Sequence, residues 1–508
     1  MSEGGPLRLD GRGLTLEDVE RVVRARVRVE LSEDARRQME ESRAVVERAL
    51  AAGGVVYGVT TGFGRLSDAV IEPGERRALQ VNLLRSHSTG VGEPFPEDVA
   101  RAVMLLRANT LAGGRTGVRP VVCERLLECL NAGVFPRIPC QGSVGASGDL
   151  APLAHLGLVL IGEGEAWGGE GWRPAGEVLE KHGILPLQLE AKEGISLVNG
   201  TQVMTGVGAL VLLGAERLVD AAEVAGAMSL EATRGTRAAL RAEIHDARPY
   251  PGQRASAARL RELLGETSEI AASHVGCGQI QDAYSLRCMP QVHGAVRDAL
   301  SYVRWVLAIE INAATDNPLV FADRDAEGDA IVSGGNFHGA PVAAALDFLA
   351  IALTDLAAIS ERRVEALLDP ARGGHPPFLA ARPGLQSGFM MHQVTAAALV
   401  SECKGLAHPA SVDTIPTSAN KEDHVSMGVW AARKASQILA NAERVVAIEL
   451  LAGAQGIDLL RPLQTSTPLE RAHATLRERV PPLEEDRPGT PDIETAAVLI
   501  RSGRLAQL

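Results

Sequence analysis

Apolar positions recur at three- and four-residue spacing over long stretches of this chain, and polar, glycine-rich clusters punctuate them. That spacing puts side chains on one face of an α-helix. Thr15 with Asp18 forms a capping-box pattern and Ser32 offers a second N-cap, so each is expected to open an amphipathic helix. The second run, EDARRQMEESRAVVERALAAGG, should stop at Gly53-Gly54, a C-terminal signal. VVYGVTTGFG then loses the helical period and reads as a loop or short strand. Helical spacing returns from Val99 to Ala132, and residues 133–165 read as loop-rich. Beyond Asn199 the pattern predicts long helices over Gln202–Gly235, Ser285–Ala314 (ended by TDNP), His338–Leu368 (ended by Asp369-Pro370), Ser387–Leu406 and His424–Leu451. A helix of about 30 residues is about 45 Å long. Helices of that length, apolar on most faces, predict a bundle whose sides bury against each other or against other subunits. There is no sustained strand alternation and no internal repeat. The expected architecture is mainly α, with a loop-rich N-terminal domain over residues 1–200 and a long-helix bundle with a C-terminal helical region over 201–508.

Composition narrows the function classes. At 508 residues and 46% hydrophobic, the chain is long enough for a large core and more than one domain. Lys+Arg 51 against Asp+Glu 63 gives a net charge of −12, which argues against nucleic acid as a partner. The six Cys (123, 129, 140, 277, 288 and 403) form no C-x-x-C pair, which suggests a reducing cytoplasm and no structural zinc. MSEGGPLRLDGRG has no apolar run of the signal-peptide kind. Gly194 to Ala215 is uncharged over 22 residues, but Ser196, Asn199, Thr201, Gln202 and Thr205 interrupt it; it reads as a buried helix with its approach loop, not a membrane span.

Several chemistries are missing from the sequence. There is no G-x-x-x-x-G-K-[ST], no G-x-G-x-x-G after a strand to hold NAD, and no H-E-x-x-H to hold a metal. Instead, seven polar clusters lie between the helices: YGVTTGFG (57–64), NLLRSHSTGVG (82–92), GSVGASGD (142–149), NGTQ (199–202), QDAYSLRC (281–288), GGNFHG (334–339) and SANKEDHVSMG (418–428). Any one of them alone reads as a helix-capping loop. Two of the four Tyr, Tyr57 and Tyr284, fall within them, and Arg287 stands one helical turn after Tyr284. An arginine suited to a carboxylate, with tyrosines, amides and an acid, suggests a site for a small zwitterion.

GSVGASGDLAPLAH resembles the signature of the aromatic amino acid ammonia-lyases, and the other clusters follow in that family's order, from about Leu14 to PDIETAAVLIRSGRL. Ser86-His87, SHVGC (273–277), QDAYSLRCMPQV (281–292) and SANKEDHVSM (418–427) are closest to the histidine-deaminating members; the tyrosine and phenylalanine enzymes typically carry His-Leu or Phe-Leu at the first of these. The resemblance implies an aspartase/fumarase-like helical fold and a cytoplasmic homotetramer whose active sites are each shared by three chains. It implies conversion of L-histidine to trans-urocanate and ammonia, the first step of histidine breakdown. It also implies a 4-methylidene-imidazol-5-one built from Ala146, Ser147 and Gly148. In its formation the Gly148 nitrogen attacks the Ala146 carbonyl carbon and two waters leave, one taking the Ser147 hydroxyl oxygen. Ser147 is then the precursor of an electrophile and not a nucleophile. Pyridoxal phosphate, the usual electron sink, needs a Schiff-base lysine; the chain has five Lys and none stands in a recognised motif.

Carried over residue by residue, Tyr57 matches the proposed base for the β-proton, and Tyr284 and Glu422 match residues that move protons or hold the imidazole. His87 should meet the substrate side chain, Arg287 its carboxylate, and Phe337 its ring, with Asn199 and Gln281 near the carboxylate and the electrophile. Three positions depart from the family pattern. Thr60 stands where many members have Asn. Ala283 replaces a Pro, which is expected to loosen the Tyr284 loop. Lys421 replaces a Gln, a cation expected to weaken Glu422 as a base. The rival readings are a tyrosine or phenylalanine ammonia-lyase or aminomutase of the same family, and a catalytically silent helical scaffold.

Overall fold

The computed structural model describes residues 5–276, 280–327 and 330–507, so Cys277 and the first four residues lie outside the described residues. The chain is mainly α. Its longest helices are Gln202–Ala232, Met289–Glu310, Ala340–Leu368 and Gly428–Leu459, of 31, 22, 29 and 32 residues. Thr15 and Asp18 form the expected capping box on Leu16–Arg24, and Ser32 caps Glu33–Ala51.

Local chemistry explains where the elements differ from expectation. The stretch Val99 to Ala132 is two helices, Glu97–Ala112 and Pro120–Ala132, because Gly113 ends the first and Pro120 opens the second. Residues 133–165 hold the helix Leu150–Leu160, whose apolar run is short and mostly buried. The helix expected from Ser285 starts at Met289, behind a separate turn Tyr284–Arg287. The helix expected over His424–Leu451 starts at Gly428 and runs on to Leu459. Short strands form four small sheets of two or three strands among the described residues.

Two compact units divide the chain: Met1–Leu210 with Trp305–Leu346 and Pro409–Arg433, and Val211–Arg304 with Asp347–His408 and Lys434–Leu508. In the first unit, Glu97–Ala112 is buried at every position from Val99 onward and packs on Leu16–Arg24 and Pro120–Ala132. Three further helices, Arg76–His87, Leu150–Leu160 and Glu193–Val198, pack pairwise on one another. They bury Leu83, Leu84, Leu153, Leu156, Ile195 and Val198, each of which contributes about 1.5–3 kcal/mol when fully removed from water.

The uncharged 194–215 stretch is the buried helix Glu193–Val198, an approach loop and the start of Gln202–Ala232. Gln202–Ala232 and Ala340–Leu368 are long and apolar enough to cross a membrane, and 83% and 61% of their most apolar windows are buried within the fold. Cys123, Cys129, Cys140, Cys288 and Cys403 are free thiols, and no group of three or more metal-ligating side chains gathers among the described residues.

Charges are buried in both units, always with partners or at a helix end. In the second unit Arg363 and Glu449 are fully buried, 2.8 Å apart from Nη2 to Oε2, and the hydroxyls of Ser229 and Ser360 donate to the same carboxylate. In the first unit Asp149 is fully buried, and its Oδ2 accepts the N–H groups of Val203 and Met204 at 2.8 and 2.9 Å, capping Gln202–Ala232. Burial outweighs those donors and pushes the Asp149 carboxyl from 3.8 up to about 7.

Glu449→Gln leaves Arg363 uncompensated and should cost about 3 kcal/mol in denaturant unfolding, whereas a loss below about 1 kcal/mol would mean the pair is solvated. For Asp149, the unfolded chain releases the proton near its ordinary value while the folded chain keeps it to about 7. This group therefore destabilises the fold progressively as pH rises across that interval. Asp149→Asn should flatten that limb of the stability curve; parallel curves for the two proteins would refute the assignment.

Candidate active site

Three of the candidate residues sit at the ends of the three mutually packed helices. His87 is the last residue of Arg76–His87, Ser147 lies just before Leu150–Leu160, and Asn199 caps Glu193–Val198. Together with Tyr57 and Glu422 they line one cavity of about 560 Å³ in the first unit. Phe63, Leu83, Ile195 and Val198 supply apolar wall, and the volume suits a small molecule.

The Ala146-Ser147-Gly148 segment is bent tightly. Gly145, Ser147 and Gly148 all take positive φ (82°, 50° and 78°), a conformation that strains a serine. Gly148 runs against the backbone of Gly200: the Asp149 N–H donates to the Gly200 carbonyl at 2.7 Å, and the Gly200 N–H to the Ser147 carbonyl at 3.3 Å. A Cβ at Gly148 would lie 2.1 Å from the Gly200 oxygen, so no other residue fits there.

Tyr57 is half-buried, and its hydroxyl oxygen accepts the Gly64 N–H at 3.1 Å. Thr60, the departure from Asn, serves the same loop: its Oγ1 accepts the Val56 N–H at 2.8 Å and donates to the Gly54 carbonyl at 3.1 Å. The Thr417 hydroxyl donates to Glu422 Oε2 at 2.7 Å, and the Ser147 hydroxyl to Oε1 at 3.4 Å. Lys421 is exposed and makes no ion pair among the described residues.

His87 Nδ1 lies 2.9 Å from Ser86 Oγ, whose hydroxyl also reaches the Leu83 carbonyl at 3.2 Å. Burial lowers the His87 pKa, against smaller opposing effects of the Leu83 carbonyl and the Glu422 charge. A neutral ring with its proton on Nδ1, beside these oxygens, keeps Nε2 as an acceptor.

The remaining expected residues lie elsewhere. Phe337 is partly buried in the first unit and is not among the residues lining the cavity. Gln281, Tyr284 and Arg287 belong to the second unit. Gln281 lines a separate cavity of about 450 Å³ with Arg234, Arg237, His274 and Asp282. Tyr284 is 72% exposed, with the Arg287 guanidinium 4.4 Å from its ring centre. Ala283, at the head of the turn carrying them, has a φ of −59°, one that a proline adopts, and its carbonyl accepts the N–H groups of Leu286 and Arg287.

Asn317 and Ser418 also line the cavity, and sequence reasoning missed both. Asn317 belongs to TDNP, which reads as a helix stop, yet it lines the cavity.

The sequence model for aromatic amino acid lyases matches residues 14–478. A histidine ammonia-lyase of Koribacter versatilis (strain Ellin345) is 56% identical over 98% of both chains. The crystal structure of histidine ammonia-lyase from Trypanosoma cruzi superposes with a TM-score of 0.92 at 45% identity, over 99% of this chain and 94% of that one. A tyrosine aminomutase from Streptomyces globisporus superposes with a TM-score of 0.93 at 40% identity, over 99% and 98%. With the mainly α, long-helix architecture and the cavity lined by Tyr57, Ser147 and Glu422, these similarities settle the kinship: the chain belongs to the aromatic amino acid lyase family.

Proposed function

We propose that the protein is a histidine ammonia-lyase, which removes ammonia from L-histidine without oxidation to give trans-urocanate. The observation that carries this reading is His87, a neutral imidazole held by Ser86, in the same cavity as Ser147. Its free Nε2 accepts from the ring N–H of a histidine side chain, a donor that phenylalanine lacks.

Ala146, Ser147 and Gly148 fit a methylidene-imidazolone. The strained φ of Ser147, the side-chain-free Gly148 nitrogen and the Gly200 clamp already hold the segment in a tight bend. When formed, this group supplies the electrophile that makes the substrate nitrogen a leaving group. Tyr57, acting as the phenolate, takes the β-proton and is neutral afterwards; the Gly64 N–H is aimed at the oxygen that carries the negative charge before the transfer. Glu422, oriented by Thr417, holds the imidazole or relays a proton. Asn199 fixes the substrate head group.

Gln281, Tyr284 and Arg287 act in the same chemistry from a neighbouring subunit, as carboxylate clamp and proton carrier, in a cytoplasmic homotetramer whose sites are each built from three chains. Exposed apolar side chains at helical spacing support assembly: Trp305 (62%) and Ile309 (54%) on Met289–Glu310, and Met391 (60%) with Val394 on Met390–Leu406.

Ultraviolet assays with L-histidine, L-tyrosine and L-phenylalanine test the reading: the urocanate band should grow with histidine alone. Turnover of tyrosine but not histidine would instead support an ammonia-lyase or aminomutase of the tyrosine type. The rate should rise on the alkaline side, because the amine must lose its proton to act as a nucleophile, and a maximum well below neutral pH would contradict this mechanism. The native chain should weigh two waters less than its sequence. Ser147→Ala should weigh what its own sequence requires, with no water lost, and lower kcat at least about a thousandfold. Full activity in Ser147→Ala would refute the electrophile.

A further inference from the structure

Behind the cavity wall of the first unit lies a cluster of buried charge that the mechanism above does not use. Lys192, one of five lysines in the chain, is fully buried at φ +80°, in the left-handed region. Its ammonium sits 2.8 Å from Asp316 Oδ2 and 2.7 Å from Ser196 Oγ, and the Ser196 hydroxyl donates to the same Oδ2 at 2.8 Å. Asp316 Oδ1 in turn accepts from the Asn199 side-chain amide at 3.3 Å and from the Asn317 backbone N–H at 2.7 Å. Burial alone would push the Asp316 carboxyl up, but Lys192 and Arg107 outweigh it and hold it down, so it is charged. The Arg107 guanidinium donates to the Asn199 carbonyl at 2.8 Å and fixes the backbone.

The polarity of Asn199 follows from these contacts. Its Nδ2 has two hydrogens, and both are taken: one by Asp316 Oδ1, the other by the Asn317 carbonyl at 3.3 Å. Neither partner can donate, so the amide cannot be turned round without placing its oxygen against a carboxylate and a carbonyl. What Asn199 has left for the cavity is Oδ1, an acceptor. An acceptor repels a substrate carboxylate and suits an amine or ammonium. Asn317 has the opposite bias, since its Oδ1 accepts the Gly334 N–H at 2.8 Å and only its N–H donors remain.

We infer that Asp316, neutralised by Lys192, is a positioning residue that locks Asn199 as a hydrogen-bond acceptor for the substrate's amino group, and not for its carboxylate. This assignment rests on the functional reading above and differs from the role expected for Asn199 from the sequence. It explains why a charged pair is kept fully buried behind a neutral amide. A neutral residue at 316 that both donates and accepts would leave the Asn317 carbonyl alone to oppose a flip of the Asn199 amide, and so weaken the lock.

Calorimetric binding to the full-length protein tests it with two probes, histamine (an amine without a carboxylate) and imidazole-4-propanoate (a carboxylate without an amine). Asp316→Asn should weaken histamine about tenfold and leave imidazole-4-propanoate within about twofold. Equal losses for both probes, or no loss for either, would overturn the inference. Asn199→Ala, a substitution on the cavity wall, should produce the same selective loss. If its histamine-to-propanoate ratio matches that of the wild type, the inference fails even where Asp316→Asn does not fold. In the Asn199→Ala background, adding Asp316→Asn should change the ratio no further; an additional selective loss would show that Asp316 acts by another route. Wild-type turnover of L-histidine keeps the two claims apart: its absence refutes the functional reading, whereas an active wild type with an unchanged ratio refutes this inference alone.

Discussion

Gly148 and Gly200 meet backbone to backbone, and the site is organised around that contact. Two glycines let two distant segments approach until the Asp149 N–H and the Gly200 carbonyl are 2.7 Å apart. One segment carries Ser147 in a strained bend; the other carries Asn199 and leads into Gln202–Ala232. Asp149 then caps that helix, so the residue next to the bend also fixes the start of a 31-residue element. Strain at Ser147 persists because packing on both sides over-determines it. The three helices whose ends bear His87, Ser147 and Asn199 supply that packing with apolar side chains, which carry no polar demand of their own.

Electrostatics adds polarity to this frame. Asp149, Asp316 with Lys192, and Arg363 with Glu449 are fully buried, and each carboxylate has at least two donors. Replacing such pairs with apolar residues is often neutral for stability, so their presence points to orientation. Asp316 orients the Asn199 side-chain amide and accepts the Asn317 backbone N–H. Arg363 holds the Ser285 carbonyl at 3.3 Å, within the turn that carries Tyr284 and Arg287. In each unit, then, a buried ion pair lies directly behind a residue of proposed chemistry. A fixed dipole in a dry wall needs no reorganisation when charge develops, which is the advantage of paying its desolvation during folding.

The long helices were legible in the sequence because 3.6-residue apolar periodicity over some thirty positions is hard to mistake, and so were the N-caps at Thr15 and Ser32. The short helix Leu150–Leu160 and the break at Gly113 were not, since a brief apolar run or a single glycine admits more than one local structure. Tyr57, His87, Ser147, Asn199 and Glu422 announced themselves as polar clusters between helices, and the cavity gathers them. Asn317 did not, because a polar residue before a proline reads first as a helix end.

By itself the sequence determined the helical class, the family and the residue types of the site, since these depend on periodicity and on motifs that are local in the chain. Only the tertiary structure decided the direction of the Asn199 hydrogen bonds. That Asn199 is left with an acceptor and that a buried carboxylate stands behind an amide 117 residues away are consequences of contacts between distant segments. Hydrogen-bond polarity is set by which partner a fold brings within about 3 Å, and no local pattern encodes that.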